Sequence, residues 1–176
     1  MPIEYPLMKD GELCQDKWIY ADEDAGLSAT PSIISLSLLK PEACVLHSRH
    51  PKLGVQLLAD GNGKTKLGED VQELEPYLDM PSLVSIAFPT YRNGRGFSAA
   101  RVLREQFNFD GELRASGEVL HDQWAMMRRC GITAFELAPS VSLETFSDAM
   151  GELPDAYQPA ADDQRGAKTA SRFFIT

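Results

Sequence analysis

Residues 83–137 have the sequence LVSIAFPTYRNGRGFSAARVLREQFNFDGELRASGEVLHDQWAMMRRCGITAFEL, and this stretch decides the fold. Its first six residues are nearly all apolar, which is typical of a parallel strand covered on both faces. Hydrophobic periodicity predicts further strands at 112–116 and 132–137, with a helix before each of them. An alternation of strands and helices predicts a mainly parallel sheet with right-handed crossovers.

The chain upstream of this stretch continues the same alternation. Short apolar runs at 32–36 and 53–58 predict two more strands, and leucine and valine recur at helical spacing over 67–78. The predicted fold is therefore α/β, with a mainly parallel sheet of about five strands and alternating helices. Five strands suit either an open doubly wound sheet or half of a (β/α) barrel.

The length of 176 residues suits one domain. Residues 1–30 are polar and predict an irregular N-terminal segment with a short edge strand at 17–21. Residues 31–153 form the predicted single α/β domain. Residues 154–176 are rich in Ala, Asp, Gln and Pro, which predicts a mobile C-terminal tail.

The overall charge and composition exclude several classes of function. A net charge of −9 argues against nucleic-acid binding, which needs a basic surface. Apolar runs fall far short of the roughly 20 residues that span a membrane, and no signal peptide is expected at the N-terminus. Three widely spaced cysteines without an export signal predict a cytoplasmic location.

The loop after the strand at 83–88 is the predicted binding site for a small anion. Ligands of parallel α/β folds sit at the carboxyl ends of the strands. Two arginines lie in this loop among glycines, directly before the amide groups of a predicted helix whose N-cap is Ser98. The predicted anion-binding residues are Arg92, Gly94, Arg95, Gly96 and Ser98.

Three further candidates follow the next strand. Glu118, His121 and Asp122 lie near the end of the strand at 112–116 and are the candidate catalytic residues. A carboxylate and an imidazole beside a bound anion suit acid–base chemistry. In the alternative interpretation, Arg92 and Arg95 pair with Glu118 and Asp122 as a structural lock, since ion-pair networks share the pattern of an active site.

The cationic character extends along the following helix. Four arginines and no acidic residue lie between Thr90 and Arg104, in an otherwise acidic chain. Such a patch suits a small anion or an acidic partner. Arg101, Arg104 and Arg114 are assigned to the partner-facing part of this patch.

A dinucleotide fingerprint overlaps the same loop. Residues 94–99, GRGFSA, fit the pattern G-x-G-x-x-A between a strand and a helix, with Glu118 as the ribose-binding acid. The first glycine comes late after the strand, bulky residues flank the second, and Glu118 lies further on than usual. NAD(P) is therefore an alternative, and otherwise no cofactor is evident.

No metal site is predicted. Cys44, His47 and His50 have the spacing C-x-x-H-x-x-H. Positions i, i+3 and i+6 drift around a helix, so three ligands at this spacing converge poorly on one ion.

The run from Tyr91 to Leu137 closely resembles a bacterial family known as domain of unknown function 934. The family pattern includes DGRG-[FY]-S, LRE, GELRA-x-G, DQ and RCG, and the chain has NGRGFS, LRE, GELRASG, DQ and RCG in the same order. Asn93 stands where the family has Asp, and Glu118 replaces a common Asp.

The resemblance implies a role in assimilatory sulfate reduction. The family's genes often neighbour that of the sulfite reductase haemoprotein, and the family carries the label of an oxidoreductase involved in sulfite reduction. The first hypothesis is a cytoplasmic accessory protein that docks on sulfite reductase through the Arg-rich loop. The second is an oxidoreductase or small-anion-handling enzyme that uses Arg92, Arg95 and Glu118, with NAD(P) as an option. Both stay open at this point, as does self-association into a homo-oligomer.

Overall fold

One sheet, with eight strands in the part of the chain that the structure describes, organises the protein. The computed structural model describes residues 6–9, 11–21, 31–49, 52–57, 67–90, 92, 94–137, 144–145 and 148–149. The strands are β1 (Leu7–Lys9), β2 (Glu12–Cys14), β3 (Ile19–Tyr20), β4 (Ser32–Ser35), β5 (Leu53–Leu57), β6 (Pro81–Phe88), β7 (Glu112–Gly117) and β8 (Ala134–Glu136).

Four α-helices accompany the strands in the described part of the chain. They are α1 (Leu36–Arg49), α2 (Leu67–Leu74), α3 (Arg95–Arg101) and α4 (His121–Arg129). A 3-10 turn, Glu75–Tyr77, follows α2, and a π-helical turn, Val102–Gln106, follows α3. None of the described helices combines the length and the apolar character needed to cross a membrane.

The start of α3 differs from the sequence prediction. The helix begins at Arg95 with Gly94 as N-cap, so Ser98 lies inside the helix and is not its cap. The first turn lies against Phe88, and a Cβ atom at Gly96 would come within 2.5 Å of the Phe88 ring. The absence of a side chain at position 96 therefore allows the helix to begin four residues earlier.

The strand order is β2-β1-β8-β7-β6-β5-β4-β3. Strands β3 to β8 are parallel and adjacent in chain order, whereas β1 pairs antiparallel with both β2 and β8. A doubly wound sheet needs a point where the strand order reverses. The six parallel strands among the described residues have no such reversal, so the doubly wound alternative is wrong. The expected strand number of about five is also wrong.

The two edges of the sheet lie close together. Strand β2 is at one edge and β3 at the other, yet only residues 15–18 connect them. Five residue steps span at most about 18 Å. A flat sheet would place these strands about 34 Å apart, at about 4.8 Å per strand. The sheet is therefore curled towards a barrel and has a concave and a convex face.

The convex face carries the hydrophobic core. Val84 and Ile86 on β6 and Leu113 and Ala115 on β7 are completely buried with residues of the helices. Each large apolar side chain contributes roughly 1.5–3 kcal/mol when it is fully buried. The convex face thus supplies most of the hydrophobic core, whereas the concave face carries polar side chains as well as apolar ones such as Leu83.

Candidate functional site

A buried cation lies at the centre of the concave face. Successive residues of a strand point to opposite faces, so Glu112, Arg114 and Ser116 of β7 share the concave side. Arg114 lies opposite Ser85 of β6 and Ala134 of β8. Its side chain is 0% exposed, which requires compensation by hydrogen-bonded anions.

Three carboxylates surround Arg114. Asp16 accepts two hydrogen bonds from the guanidinium, of 2.6 and 3.2 Å. Glu112 also accepts two, of 3.0 and 3.2 Å, and Glu136 accepts one of 3.3 Å. Burial by itself lowers the pKa of Arg114, but hydrogen bonds and charges from Asp16 and Glu112 outweigh this and raise it. The guanidinium therefore stays charged and fixes the carboxylates around it.

Asp16 belongs to residues 15–18, the segment that joins the two edges of the sheet. The Trp18 amide donates a 3.0 Å hydrogen bond to Asp16, which holds the segment in a turn. Trp18 lies over Gly54 of β5, where an added Cβ atom would be 3.2 Å from the indole and 2.9 Å from Ile33. The segment therefore lies across the concave face, and a side chain at position 54 would displace it.

A row of hydroxyl groups connects β3 with β7 and β8. The Tyr20 hydroxyl donates a 2.5 Å hydrogen bond to Oε1 of Glu136. It also lies 2.9 Å from the hydroxyl of Ser85, which in turn lies 3.2 Å from that of Ser116. Tyr20 is 38% exposed overall, although its hydroxyl is directed towards the interior of the sheet. We call Ser116, Ser85, Tyr20 and Glu136 the hydroxyl chain.

Two groups of the hydroxyl chain, Glu136 and Tyr20, have pKa values above their ordinary ones. Burial raises the pKa of Glu136, and the hydrogen bond from Tyr20 and the charge of Arg114 oppose this only in part. Burial and the nearby charge of Glu136 raise the pKa of Tyr20. Glu136 therefore binds a proton more readily than an ordinary glutamate, which is a property of carboxyl groups that transfer protons.

A pocket of about 350 Å³ opens above the hydroxyl chain. It lies at the carboxyl ends of the parallel strands β5 to β8, where α/β folds bind ligands. Its lining residues are Tyr20, Gln56, Ala87, Phe88, Pro89, Ser116, Gly117 and Glu136.

Gly117 shapes the edge of this pocket. Its φ of +93° lies in the left-handed region, and a Cβ atom there would be 2.5 Å from the carbonyl oxygen of Phe88. The same oxygen accepts a 2.8 Å hydrogen bond from the amide of Glu118. The end of β7 therefore turns away tightly from β6, and only glycine fits this turn without strain.

Comparison with known families finds one family model that covers most of the residues lining the pocket. The sequence model of the family described as "Bacterial protein of unknown function (DUF934)" matches residues 64–167, more than half of the chain. The chain belongs to this family. The comparisons with curated proteins and with solved structures find no match. The family assignment confirms the resemblance drawn from the sequence.

The match with the family includes the loop for which anion binding is predicted. Arg92, Gly94, Arg95 and Ser98 are exposed, and Gly96 is buried against Phe88. None of the five is among the lining residues of the pocket, although Pro89, just before the loop, is. The predicted loop and the pocket thus lie at the same strand end, but the side chains of the predicted residues lie outside the pocket. Anion binding by these residues stays a prediction.

The three candidate catalytic residues also lie beside the pocket without lining it. Glu118, His121 and Asp122 are exposed and follow Gly117, which does line it. The His121 ring makes an edge contact with Trp124, with 6.4 Å between ring centroids. Their predicted catalytic role and the predicted lock with the loop arginines stay predictions.

The arginines assigned to a partner-facing patch have different environments. Arg101 is exposed and pairs with Glu105 one helical turn away. Arg104 is half-buried and donates hydrogen bonds to the carbonyl oxygens of Phe109, Gly111 and Gly131. Arg114 is completely buried on the concave face, so its assignment to an exposed patch is wrong. Sequence alone does not show on which face of a strand an arginine lies.

The pocket residues Tyr20, Gln56 and Glu136 were not predicted from the sequence. A usable signal existed for Gln56 and for Ser85 of the hydroxyl chain, because each is a polar residue inside a mostly apolar strand. No local pattern marks Tyr20, since its role depends on the curl of the whole sheet.

The described residues contain no group of three or more His, Cys, Asp or Glu side chains placed to hold a metal ion. The side chains of Cys44 and His47, and all of His50, lie outside the described part of the chain, as does the predicted tail 154–176.

Proposed function

We propose that this protein is an enzyme that transfers protons to and from a small polar substrate, with Glu136 as general base. The observation that carries the proposal is the 2.5 Å hydrogen bond from Tyr20 to Glu136 at the floor of the 350 Å³ pocket. A carboxyl group with a raised pKa in a concave site at the strand ends is a candidate for acid–base catalysis.

The contacts of Glu136 distinguish its two oxygen atoms. Tyr20 and Arg114 both bind Oε1, and Oε2 has no hydrogen bond to any residue that the structure describes. The side chain is 12% exposed and lines the pocket. Oε1 thus fixes the carboxylate in place, and Oε2 is the oxygen that accepts the proton.

The proposed step is proton abstraction from a carbon next to a carbonyl group. Oε2 of Glu136 takes the proton, and the electron pair of the broken C–H bond forms the enolate, whose charge lies on the carbonyl oxygen. The carboxamide of Gln56, another pocket residue, supplies an N–H donor for that oxygen. Return of a proton from Oε2 to the same carbon regenerates the carbonyl compound, so that the complete cycle exchanges a carbon-bound proton. A positioned base of this kind accelerates proton transfer typically about 10²–10⁴-fold.

Exchange of carbon-bound protons for deuterium tests the proposal without knowledge of the natural substrate. Small carbonyl compounds, among them acetone and hydroxyacetone, are incubated with the protein in D₂O and followed by proton NMR. We expect faster loss of the signals next to the carbonyl group with the wild type than with buffer. A Glu136→Gln variant should show no acceleration. Equal rates in wild type and this variant would overturn the proposal.

The functions implied by the family resemblance stay predictions. They are docking on the sulfite reductase haemoprotein, and an oxidoreductase or anion-handling activity of Arg92, Arg95 and Glu118 with NAD(P). Two arginines that were assigned to the docking face, Arg104 and Arg114, instead form contacts within the fold. For this reason we favour an enzymatic function of the pocket at Glu136 over docking on sulfite reductase. Co-purification with sulfite reductase, repeated with Arg95→Ala, tests the docking hypothesis.

A further inference from the structure

We infer that the pocket at Glu136 binds a neutral molecule with a hydroxyl group next to a carbonyl group, and that it rejects oxyanions. The inference concerns the substrate class of the same pocket and rests on the proposed function for its link to a reaction. It follows from the direction in which each hydrogen bond of the hydroxyl chain must run.

The ionised carboxylate of Glu136 fixes these directions. A carboxylate only accepts hydrogen bonds, so the Tyr20 hydroxyl is the donor in the 2.5 Å contact. A hydroxyl has one hydrogen, so Tyr20 must accept in its 2.9 Å contact with Ser85. Ser85 then donates to Tyr20 and must accept from Ser116 at 3.2 Å. Each hydroxyl hydrogen of the hydroxyl chain is therefore directed along the row towards Glu136.

The pocket consequently presents hydrogen-bond acceptors. The hydrogen of Ser116 is used inside the chain, so this residue offers lone pairs to the pocket that it lines. Oε2 of Glu136 offers lone pairs as well, since the contacts with Tyr20 and Arg114 involve Oε1. A ligand that fills this part of the pocket must donate hydrogen bonds to it.

Gln56 supplies the complementary donor. It lies on β5 in register with Ser85 and lines the same pocket. Its half-buried carboxamide makes no hydrogen bond to a residue within the described ranges. The amide N–H groups are thus available to a carbonyl oxygen of the ligand.

Charge excludes oxyanions from this arrangement. The acidic groups among the lining residues are Glu136 and Tyr20, and no lining residue is cationic. Arg114 lies nearby, but it already binds Asp16, Glu112 and Glu136. Sulfite or sulfate would bring its negative charge and acceptor oxygens against a carboxylate and an acceptor hydroxyl. A small hydroxy-carbonyl compound instead offers O–H to the acceptors and C=O to Gln56.

Amide chemical shifts of ¹⁵N-labelled protein test the inference, at a pH above the titration midpoint of Glu136. The probes are hydroxyacetone, acetone, sulfite and sulfate. We expect hydroxyacetone to shift the signals of Gln56, Ser116 and Gly117 and to bind about fivefold more tightly than acetone, because one more hydrogen bond forms. The two anions should leave these signals unchanged.

A pair of serine variants tests whether Ser116 causes the preference for hydroxyacetone over acetone. Ser116→Ala removes the acceptor and should abolish the preference for hydroxyacetone over acetone. Ser82→Ala, at an exposed position near the start of β6 and away from the pocket, should retain it. Equal affinities for the two neutral probes in the wild type, or shifts of the same three signals by sulfite, would overturn the inference.

The inference and the proposed function fail in different ways. Selective binding of hydroxyacetone without any exchange of its carbon-bound protons would refute the proposed catalysis and support the assigned ligand class. Exchange that is equally fast with acetone and hydroxyacetone, and unchanged in Ser116→Ala, would refute the ligand class and support the catalysis.

Discussion

Tyr20 on β3 donates a hydrogen bond of 2.5 Å to Glu136 on β8, although four strands lie between them in the sheet. In a flat sheet these two strands would be about 24 Å apart. The contact exists because the sheet curls, and it places a phenol and a carboxyl group at one pocket. Residues 116 positions apart in the chain thus form the candidate site.

Removal of the Tyr20 hydroxyl should raise the pKa of Glu136 further. The hydrogen bond from Tyr20 lowers this pKa against the larger effect of burial, so its loss in Tyr20→Phe leaves burial less opposed. Carboxyl carbon NMR titration of the wild type and the variant measures the change. Tyr77→Phe, on the 3-10 turn, is the control. A lower pKa in Tyr20→Phe would show that Tyr20 does not stabilise the ionised form.

The stability of the fold should depend on pH through Glu136. Because its pKa is raised in the folded state, its contribution is fully present below the pKa of an unfolded glutamate, about 4.3. It is lost as the pH rises through the folded pKa. The free energy of unfolding of Glu136→Gln should therefore increase relative to that of the wild type as the pH rises. Urea titrations from acidic to neutral pH test this, with Glu118→Gln as control. A free energy of unfolding of Glu136→Gln that falls relative to that of the wild type as the pH rises would contradict the assigned shift.

Replacement of Arg114 should destabilise the protein strongly. Arg114→Met leaves Asp16, Glu112 and Glu136 around a site without its cation. Loss of one partner of a buried ion pair costs about 3–5 kcal/mol. Arg101→Met removes an exposed arginine from a helical pair and should cost less than about 1 kcal/mol. Urea denaturation compares the two, and similar costs would show that Arg114 does not hold the concave face together.

Gly117 and Gly94 form a matched pair for the pocket edge. Gly117→Ala places a Cβ atom 2.5 Å from the Phe88 carbonyl oxygen at a φ of +93°, whereas Gly94 has a φ of −72° and no heavy atom within 4 Å. Alanine at a left-handed position destabilises by more than about 1 kcal/mol. We expect a lower melting temperature for Gly117→Ala and little change for Gly94→Ala. Equal melting temperatures would contradict the described turn.

The sequence predicted those parts of the fold that depend on local patterns. The strands around 32–36, 53–58, 83–88, 112–116 and 132–137 all exist, because their apolar runs are recognisable one by one. Strands β1 and β2 have three residues each and carry no such pattern. The curl of the sheet depends on contacts between distant segments, such as that of Asp16 with Arg114.

The location of the candidate site was predictable, but its side chains were not. Strand ends were expected to carry it, and Pro89 and Gly117 at two such ends do line the pocket. The loop arginines are predicted as the site because charges cluster there in the sequence. Glu136 and Gln56 lie singly within strands, and their proximity depends on which face of the curled sheet each of them occupies.

Proton exchange in Glu136→Gln and Glu118→Gln decides whether Glu136 is the general base. Both variants remove one carboxylate near a strand end, but only Glu136 lines the pocket. We expect exchange of the carbon-bound protons of hydroxyacetone in D₂O to fall to the rate in buffer with Glu136→Gln and to keep its wild-type rate with Glu118→Gln. Wild-type exchange in Glu136→Gln together with loss of exchange in Glu118→Gln would contradict this expectation and return the site to the loop after β7.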